Sequence, residues 1–261
     1  MILYFSATGN TRLIAEALAH ELNDECVSLL QRIRESDYSD IHSRNPFIFC
    51  APVYISELPV FFSEYLQKVS LTGCGVVYGI LTNGGYSGIA GGQMKKIIEE
   101  KGLTFKGYAE FKLASNHITN KSHKPSGEDE IVHRIRTSLS GIPQTAVTIR
   151  NGGHFRNRHL FLLEYAVTVP VAPVLCYFNQ GTAGFRVKEN CISCGKCAGL
   201  CPMNVIRMED HKPVWDIPGC AHCMSCIQNC PAAAIEYKDV TEGRKRYNAS
   251  AYIQKAAANG L

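Results

Sequence analysis

Cys191-Ile-Ser-Cys194-Gly-Lys-Cys197-Ala-Gly-Leu-Cys201-Pro202 and Cys220-Ala-His-Cys223-Met-Ser-Cys226-Ile-Gln-Asn-Cys230-Pro231 are two copies of one spacing, C-x₂-C-x₂-C-x₃-C-P. A shift of 29 residues superposes all four cysteines and the proline, and also lays Ile206 on Ile235. C-x₂-C brings two sulfurs onto one tight turn, so three thiolates can face three corners of an iron–sulfur cubane while the fourth reaches across to the other copy. Proline after the fourth cysteine fixes φ and turns the chain away. The expected ligand sets are Cys191, Cys194, Cys197 and Cys230 for one [4Fe–4S] cluster, and Cys220, Cys223, Cys226 and Cys201 for the other. Disulfides between adjacent C-x₂-C cysteines would be strained, and zinc does not need this run twice.

A chain of 261 residues is far longer than two cubanes require, so a second domain is expected. Hydrophobic residues make up 46% and charged residues 19%, the balance of an ordinary globular protein. The formal net charge is +4; two oxidised cubanes with their thiolates add about −4, which gives no support to nucleic-acid binding. The chain opens directly on an apolar strand with no basic leader, an argument for the cytoplasm. His159 to Phe178 is long enough to span a bilayer, but Glu164, Pro170 and Pro173 interrupt it. It reads as an apolar connector packed between two domains, with neither a transmembrane span nor peripheral membrane contact expected.

The first two-thirds reads as alternating strands and helices. Ile2 to Phe5 is a short buried-strand run. It is followed by Ser6-Ala7-Thr8-Gly9-Asn10-Thr11 and then a helix with Leu13, Ile14, Ala17, Leu18 and Leu22 on one face. Strand, hydroxyl-rich glycine loop and helix N-terminus form a phosphate site, in which amide N–H groups and the helix dipole face the anion. No lysine follows as in an NTPase loop, and the G-x-G-x-x-G dinucleotide pattern is absent. Further strands are expected at Glu25–Leu30, Pro46–Ala51, Gly75–Thr82 and Thr104–Leu113, with helices at Leu58–Val69 and Gly88–Lys101. This alternation predicts a doubly wound parallel sheet of order 2-1-3-4-5, with ligand at the carboxyl ends of strands one and three. Loops there carry Pro52, Val53 and Tyr54, and Thr82, Asn83, Gly84, Gly85 and Tyr86. Their tyrosines can stack on a flavin ring, and their glycines let backbone amides approach its polar edge. With Ser6, Thr8, Gly9, Asn10 and Thr11 they form the expected FMN site.

The chain resembles a flavodoxin-like domain fused to a bacterial two-cluster ferredoxin, the arrangement of the EFR1-family ferredoxins. The matching residues are Ser6 to Thr11, Pro52-Val-Tyr54 with Pro59, Leu81 to Gly85, the paired cysteine runs, Phe185, Lys212 to Trp215 and Arg244 to Tyr247. The resemblance implies FMN, two [4Fe–4S] clusters and electron transfer of an anaerobe type; the third flavin loop departs from a Tyr-Gly-Asn pattern. The expected division is a flavodoxin-like domain at 1–150, a connector at 151–183, an α+β cluster domain at 184–238 and a tail at 239–261.

Four cysteines lie outside the two runs. Cys26, Cys74 and Cys176 read as small buried hydrophobes, and Cys50 stands close to the flavin edge in sequence. His117 follows the fifth strand and is a proton donor to the flavin or a surface-loop histidine. His222, between two ligands, is placed to tune a cluster potential. Arg150, His154, Arg156, Arg158 and His159 form a basic connector that is a solvated face, a dock for an acidic partner or a counter-charge to the phosphate. FMN exchanges one or two electrons and a cubane one, so the fused chain reads as an electron-transfer protein acting with a redox partner. The alternatives are an FMN-dependent reductase of a small organic acceptor and a redox sensor. A reductase needs a covered flavin, and Ser115 to Gly153 is the stretch that would have to cover it.

Overall fold

A computed structural model describes residues 1–121, 125–156 and 181–258. The expected connector from His159 to Phe178, Arg158 and Cys176 lie outside them.

The chain opens with β1 (Ile2–Tyr4), α1 (Asn10–Leu22), β2 (Cys26–Ser28), α2 (Leu30–Arg34), β3 (Ile41–Ser43), β4 (Phe47–Pro52), α3 (Val60–Lys68), β5 (Leu71–Gly73), β6 (Val76–Asn83), α4 (Ala90–Glu100) and β7 (Thr104–Lys112). Five of the strands form one parallel sheet in the order β2-β1-β4-β6-β7, which is 2-1-3-4-5 when only those strands are counted. The apolar runs anticipated at Ile2, Phe47 and Val76 are its central strands, and their side chains are buried on both faces, as a parallel sheet requires. One face carries α3 and α4 through Phe5, Phe49, Phe62, Leu66 and Met94. The other carries α1 through Ile2, Ile14, Leu18 and Ile80.

Two elements depart from the sequence reading. β3 and β5 pair with each other in a separate two-stranded parallel sheet. The described part of the stretch from Ser115 to Gly153 stays at the ligand edge through Ser115, Asn116 and His117. It forms α5 (Glu128–Ser140) and α6 (Ile142–Arg150), whose Ile131, Ile135, Ile142 and Ala146 join the α1 face of the sheet. The apolar spacing of a helix drives them onto the core, and only its first residues remain at the strand ends.

The cluster unit follows with β8 (Phe185–Val187), α7 (Lys196–Gly199), β9 (Arg207–Glu209), β10 (Lys212–Val214), α8 (Ser225–Gln228) and β11 (Ile235–Tyr237). β8 pairs antiparallel with β11, and β9 with β10. The 29-residue repeat is written in the backbone. Ser193 and His222, Gly195 and Met224, and Asn204 and Ala233 all take positive φ, with values of 57° and 46°, 67° and 64°, and 51° and 46°. α7 and α8 begin at equivalent places and carry Cys197 and Cys226. Left-handed residues at these points curl the chain around each quartet of sulfurs, a conformation that Ser, His, Met and Ala accept only when the surroundings impose it.

Residues 239–258, read from sequence as a tail, return to the first unit. Tyr247, Ala249 and Tyr252 are buried in the same cluster as Ile14 and Ile135, and α9 (Ser250–Ala258) packs on α5.

Candidate functional site

A cavity of about 600 Å³ opens at the carboxyl ends of β1, β4 and β6. Of the expected flavin residues, Ser6, Thr8, Asn10, Thr11, Pro52, Val53, Tyr54, Thr82, Asn83 and Gly84 line it. Gly9, Gly85 and Tyr86 do not, although Gly9 shapes the first loop and Gly85 donates its N–H to Asn83 Oδ1 at 2.9 Å. Tyr86 sits half-buried away from the wall. The cavity also takes Glu57, Ser115, Asn116, His117, Ala221 and His222. Of these, only His117 and His222 carried a signal in the sequence. The others come together through the fold.

The first loop presents a free helix end. Gly9 caps α1 at φ 93°, no side chain caps the first turn, and that turn carries no acid. The unmatched N–H groups of a 13-residue helix therefore face the cavity as an anion site. Thr11 Oγ1 and Thr82 Oγ1 are 2.8 Å apart and tie the first loop to β6. The second loop is a tight reversal. Tyr54 and Glu57 exchange both backbone hydrogen bonds at 2.9 and 3.0 Å, with Ile55 and Ser56 at φ 47° and 68°. A β-branched residue in the left-handed region is strained, and here a packed partner holds the turn. Ile89 donates its N–H to Ser56 O at 2.8 Å, and a Cβ on Gly88 would lie 2.2 Å from Ser56. The third loop is braced by Glu110, which accepts from Asn83 Nδ2 at 3.1 Å and from Ser87 Oγ at 2.7 Å.

Protonatable groups also reach the wall. Burial raises the Glu57 carboxyl above its ordinary value, against a hydrogen bond from Gln93. His117 Nε2 lies 2.8 Å from Thr119 Oγ1. Cys50 does not reach the cavity. It is fully buried in the sheet, and burial pushes its thiol far up, so its side chain is inert packing. Cys26 and Cys74 are half-buried.

The eight cysteines of the two runs separate into two quartets around two voids. Cys201, Cys220, Cys223 and Cys226 line one; Cys191, Cys194, Cys197 and Cys230 line the other. Each set therefore takes three sulfurs from one run and the fourth from its twin. Among the described residues no three His, Cys or carboxylate groups meet closely enough for a single metal ion. Four soft thiols around a void are donors for an iron–sulfur cluster. The quartets differ in burial. Every sulfur of the first is buried, whereas Cys194 is exposed, and Cys191 and Cys230 are half-buried. Burial pushes the Cys220 thiol up to about 11 and raises Cys223 and Cys226 further. As thiolates they require a bound cation to offset the lost hydration. Backbone N–H groups of His222 and Ala234 point to Cys220 and Cys230 sulfurs at 3.4 and 3.3 Å.

The buried quartet lies against the flavodoxin sheet. Ala221 and His222, between Cys220 and Cys223, line both the large cavity and the void of that quartet. Cys223 is buried in the same apolar cluster as Leu58 and Phe61, against Val53 and Tyr54. The Tyr54 hydroxyl is buried with no hydrogen-bond partner among the described residues; burial first, and the neighbouring Cys223 after it, push it well above its ordinary value. His222 Nε2 lies 2.9 Å from Gly181 O, burial lowers its basicity, and Nδ1 has no hydrogen-bond partner among the described residues. Its ring packs against Phe185 and Tyr237 at 5.6 and 5.1 Å.

Among the described residues no helix is long and apolar enough to cross a membrane. Residues 1–83 match the flavodoxin domain family and residues 190–235 the 4Fe-4S dicluster domain family. An uncharacterized ferredoxin of Methanocaldococcus jannaschii is 34% identical over 65 residues, 23% of this chain and 84% of that protein. The polyferredoxin MvhB of Methanothermus fervidus is 35% identical over 54 residues, and the iron–sulfur subunit of nitrate-inducible formate dehydrogenase of Escherichia coli 33% over 76. The chain matches 21% and 26% of its own length to these two and spans 13% and 25% of theirs. The Megasphaera elsdenii flavodoxin aligns with 42% of this chain and 85% of its own at 16% identity and a TM-score of 0.31. The chain belongs to the 4Fe-4S dicluster ferredoxins through its second unit and carries a flavodoxin domain as its first.

Proposed function

We propose that this chain relays electrons between two [4Fe–4S] clusters and an FMN within one molecule. Cys201, Cys220, Cys223 and Cys226 hold the inner cluster, and Cys191, Cys194, Cys197 and Cys230 the outer. The FMN phosphate takes the loop from Ser6 to Thr11, and the ring lies among Pro52, Val53, Tyr54, Thr82, Asn83 and Gly84. Bound there, FMN exchanges one or two electrons and each cubane one, which converts between the two kinds of redox chemistry. The observation that carries the reading is the shared wall: Ala221 and His222 border both the inner quartet and the flavin cavity. Tyr54, Val53 and Leu58 keep that wall apolar and exclude water from it. The exposure of Cys194 makes the outer quartet the port for an external redox protein.

One observation favours a second reading, reduction of a small organic acceptor. Glu57, with its raised carboxyl, and His117 supply protons on the cavity wall, which a pure carrier does not need.

The test is rapid reduction of the clusters, followed by the flavin spectrum at several protein dilutions. The expected result is a first-order flavin reduction rate independent of concentration. A rate proportional to protein concentration means that the centres meet only between molecules, and the relay is abandoned.

A further inference from the structure

The backbone of the phosphate loop is held from behind by the helix that carries the inner-cluster ligand Cys226. Ala7 O accepts from Ser225 Oγ at 3.2 Å and from Asn229 Nδ2 at 2.9 Å. Thr8 is held on two sides. Its carbonyl accepts from the Ala249 N–H at 2.9 Å, and Asn116 Nδ2 donates to its Oγ1 at 2.8 Å. Asn116 is in turn fixed by Gln228, whose Nε2 donates to Asn116 O at 2.7 Å while its Oε1 accepts from Tyr247 N at 2.7 Å. Asn248 Nδ2 donates to Asn229 Oδ1 at 2.7 Å, closing the ring of contacts. Ser225 and Gln228 are buried, so none of their bonds is lightly exchanged for water.

The ring has a direction. The loop's carbonyls face α8 and the closing segment, and that leaves the amide side of the loop for an anion. Ser225, Gln228 and Asn229 stand between the ligands Cys223, Cys226 and Cys230, on a turn whose left-handed Met224 is held in place by its surroundings. Two ligands of the inner quartet, Cys223 and Cys226, and the donors to the loop thus share one short segment, Cys223 to Cys230.

We infer that Ser225, Gln228 and Asn229 are positioning residues for the flavin phosphate loop, which makes FMN affinity and retention of the inner cluster rise and fall together. The inference rests on the proposed assignment of FMN to the cavity. Coupling of this kind is reciprocal, because each ligand shifts the affinity for the other by the same factor. A chain whose inner cluster is damaged then releases its flavin rather than keeping it as an unpartnered oxidant.

The test uses the full holoprotein with Asn229→Asp, which keeps the shape but cannot donate to Ala7 O, and Ser225→Ala. Variants are compared at wild-type iron content, and FMN dissociation constants are read from quenching of flavin fluorescence. Asn229→Asp loses the donations of Nδ2 to Ala7 O and to Ser225 O, at 2.9 and 2.8 Å, and is expected to weaken FMN about tenfold or more. Ser225→Ala, which deletes a single oxygen, is expected to weaken it several-fold and decides the matter if Asn229→Asp does not assemble iron. Arg34→Ala removes a different contact between the units, the 3.1 Å bond from Arg34 Nε to Asn204 Oδ1, and is expected to leave the constant unchanged. In the wild type, FMN is expected to slow iron loss to a chelator, and in Asn229→Asp that protection is expected to shrink. Both variants binding FMN as tightly as the wild type, or no more weakly than Arg34→Ala, overturns the coupling. Wild-type protein that binds no FMN overturns the flavin assignment instead.

Discussion

Replacing Tyr54 by Phe deletes one oxygen from the wall between the flavin cavity and the inner quartet. That oxygen is buried, has no hydrogen-bond partner among the described residues, and has Cys223 as a neighbour. A hydroxyl left unpaired in such a place costs about 1–3 kcal/mol, so its retention calls for an acceptor. No sulfur lies within hydrogen-bond reach of it among the described residues, so a cluster held by Cys223 is expected to supply the acceptor, and an O–H donated to cluster sulfur would stabilise the more negative, reduced state more than the oxidised state. If reduction strengthens that bond by about 0.5–1.5 kcal/mol, its removal lowers the one-electron potential by roughly 20–60 mV. Tyr54 does not line the outer void, and the potential of the outer cluster is expected to stay put. Redox titration followed by electron paramagnetic resonance separates the two centres. An inner-cluster potential that is unchanged in the Phe variant refutes the argument and leaves the hydroxyl as an unpaired group in both redox states.

Two further outcomes follow from the site. Wild-type protein prepared without oxygen is expected to hold about eight irons, and Cys197→Ser about four to five, because that cysteine lines only the outer void; loss of all iron from the variant, by colorimetric analysis, contradicts two separable quartets. Gly9→Ala puts a Cβ at φ 93° and 3.0 Å from Asn248 Oδ1, at a cost of about 1–2 kcal/mol, so FMN affinity is expected to fall about tenfold. Gly92→Ala on exposed α4, where a Cβ meets nothing within 4 Å, is the matched control and is expected to change nothing in a fluorescence titration.

The central strands were legible because Ile2, Phe47 and Val76 head apolar runs that only a sheet covered on both faces can bury. The crossed quartets were legible because thiolate spacing is nearly a geometric statement. β3 and β5 were not, since Ile41-His-Ser and Leu71-Thr-Gly carry one apolar residue each. α5 did carry a signal: three acids, Glu128 to Glu130, followed by Ile131, Val132 and Ile135 at helical spacing. It could have been drawn as a core helix rather than as cover for the flavin. Tyr86 was chosen for its place after a strand, yet the bracing by Glu110 turns that loop so that Asn83 and Gly84 line the cavity. The support behind the phosphate loop was illegible for a different reason. Asn229, Asn248 and Ala249 lie more than two hundred residues from Ala7 and Thr8, and single polar residues at such separations leave no pattern.

The return of residues 247–258 to the flavodoxin sheet changes what it means to call this chain a fusion. Two modules joined end to end can be cut, exchanged or made separately. Here the chain leaves the first unit, builds the cluster unit, and then completes the first with Tyr247, Ala249 and Tyr252. In topological terms the cluster unit is an insertion, and truncation after Tyr237 would strip buried aromatic surface from the flavodoxin core as well as the support behind its loop. An inserted unit also cannot drift away: its effective concentration at the wall of the cavity does not depend on a linker length, and dilution of the protein does not alter it. Separate expression of residues 1–150 is therefore expected to leave the α1 face of the sheet without Tyr247, Ala249 and Tyr252.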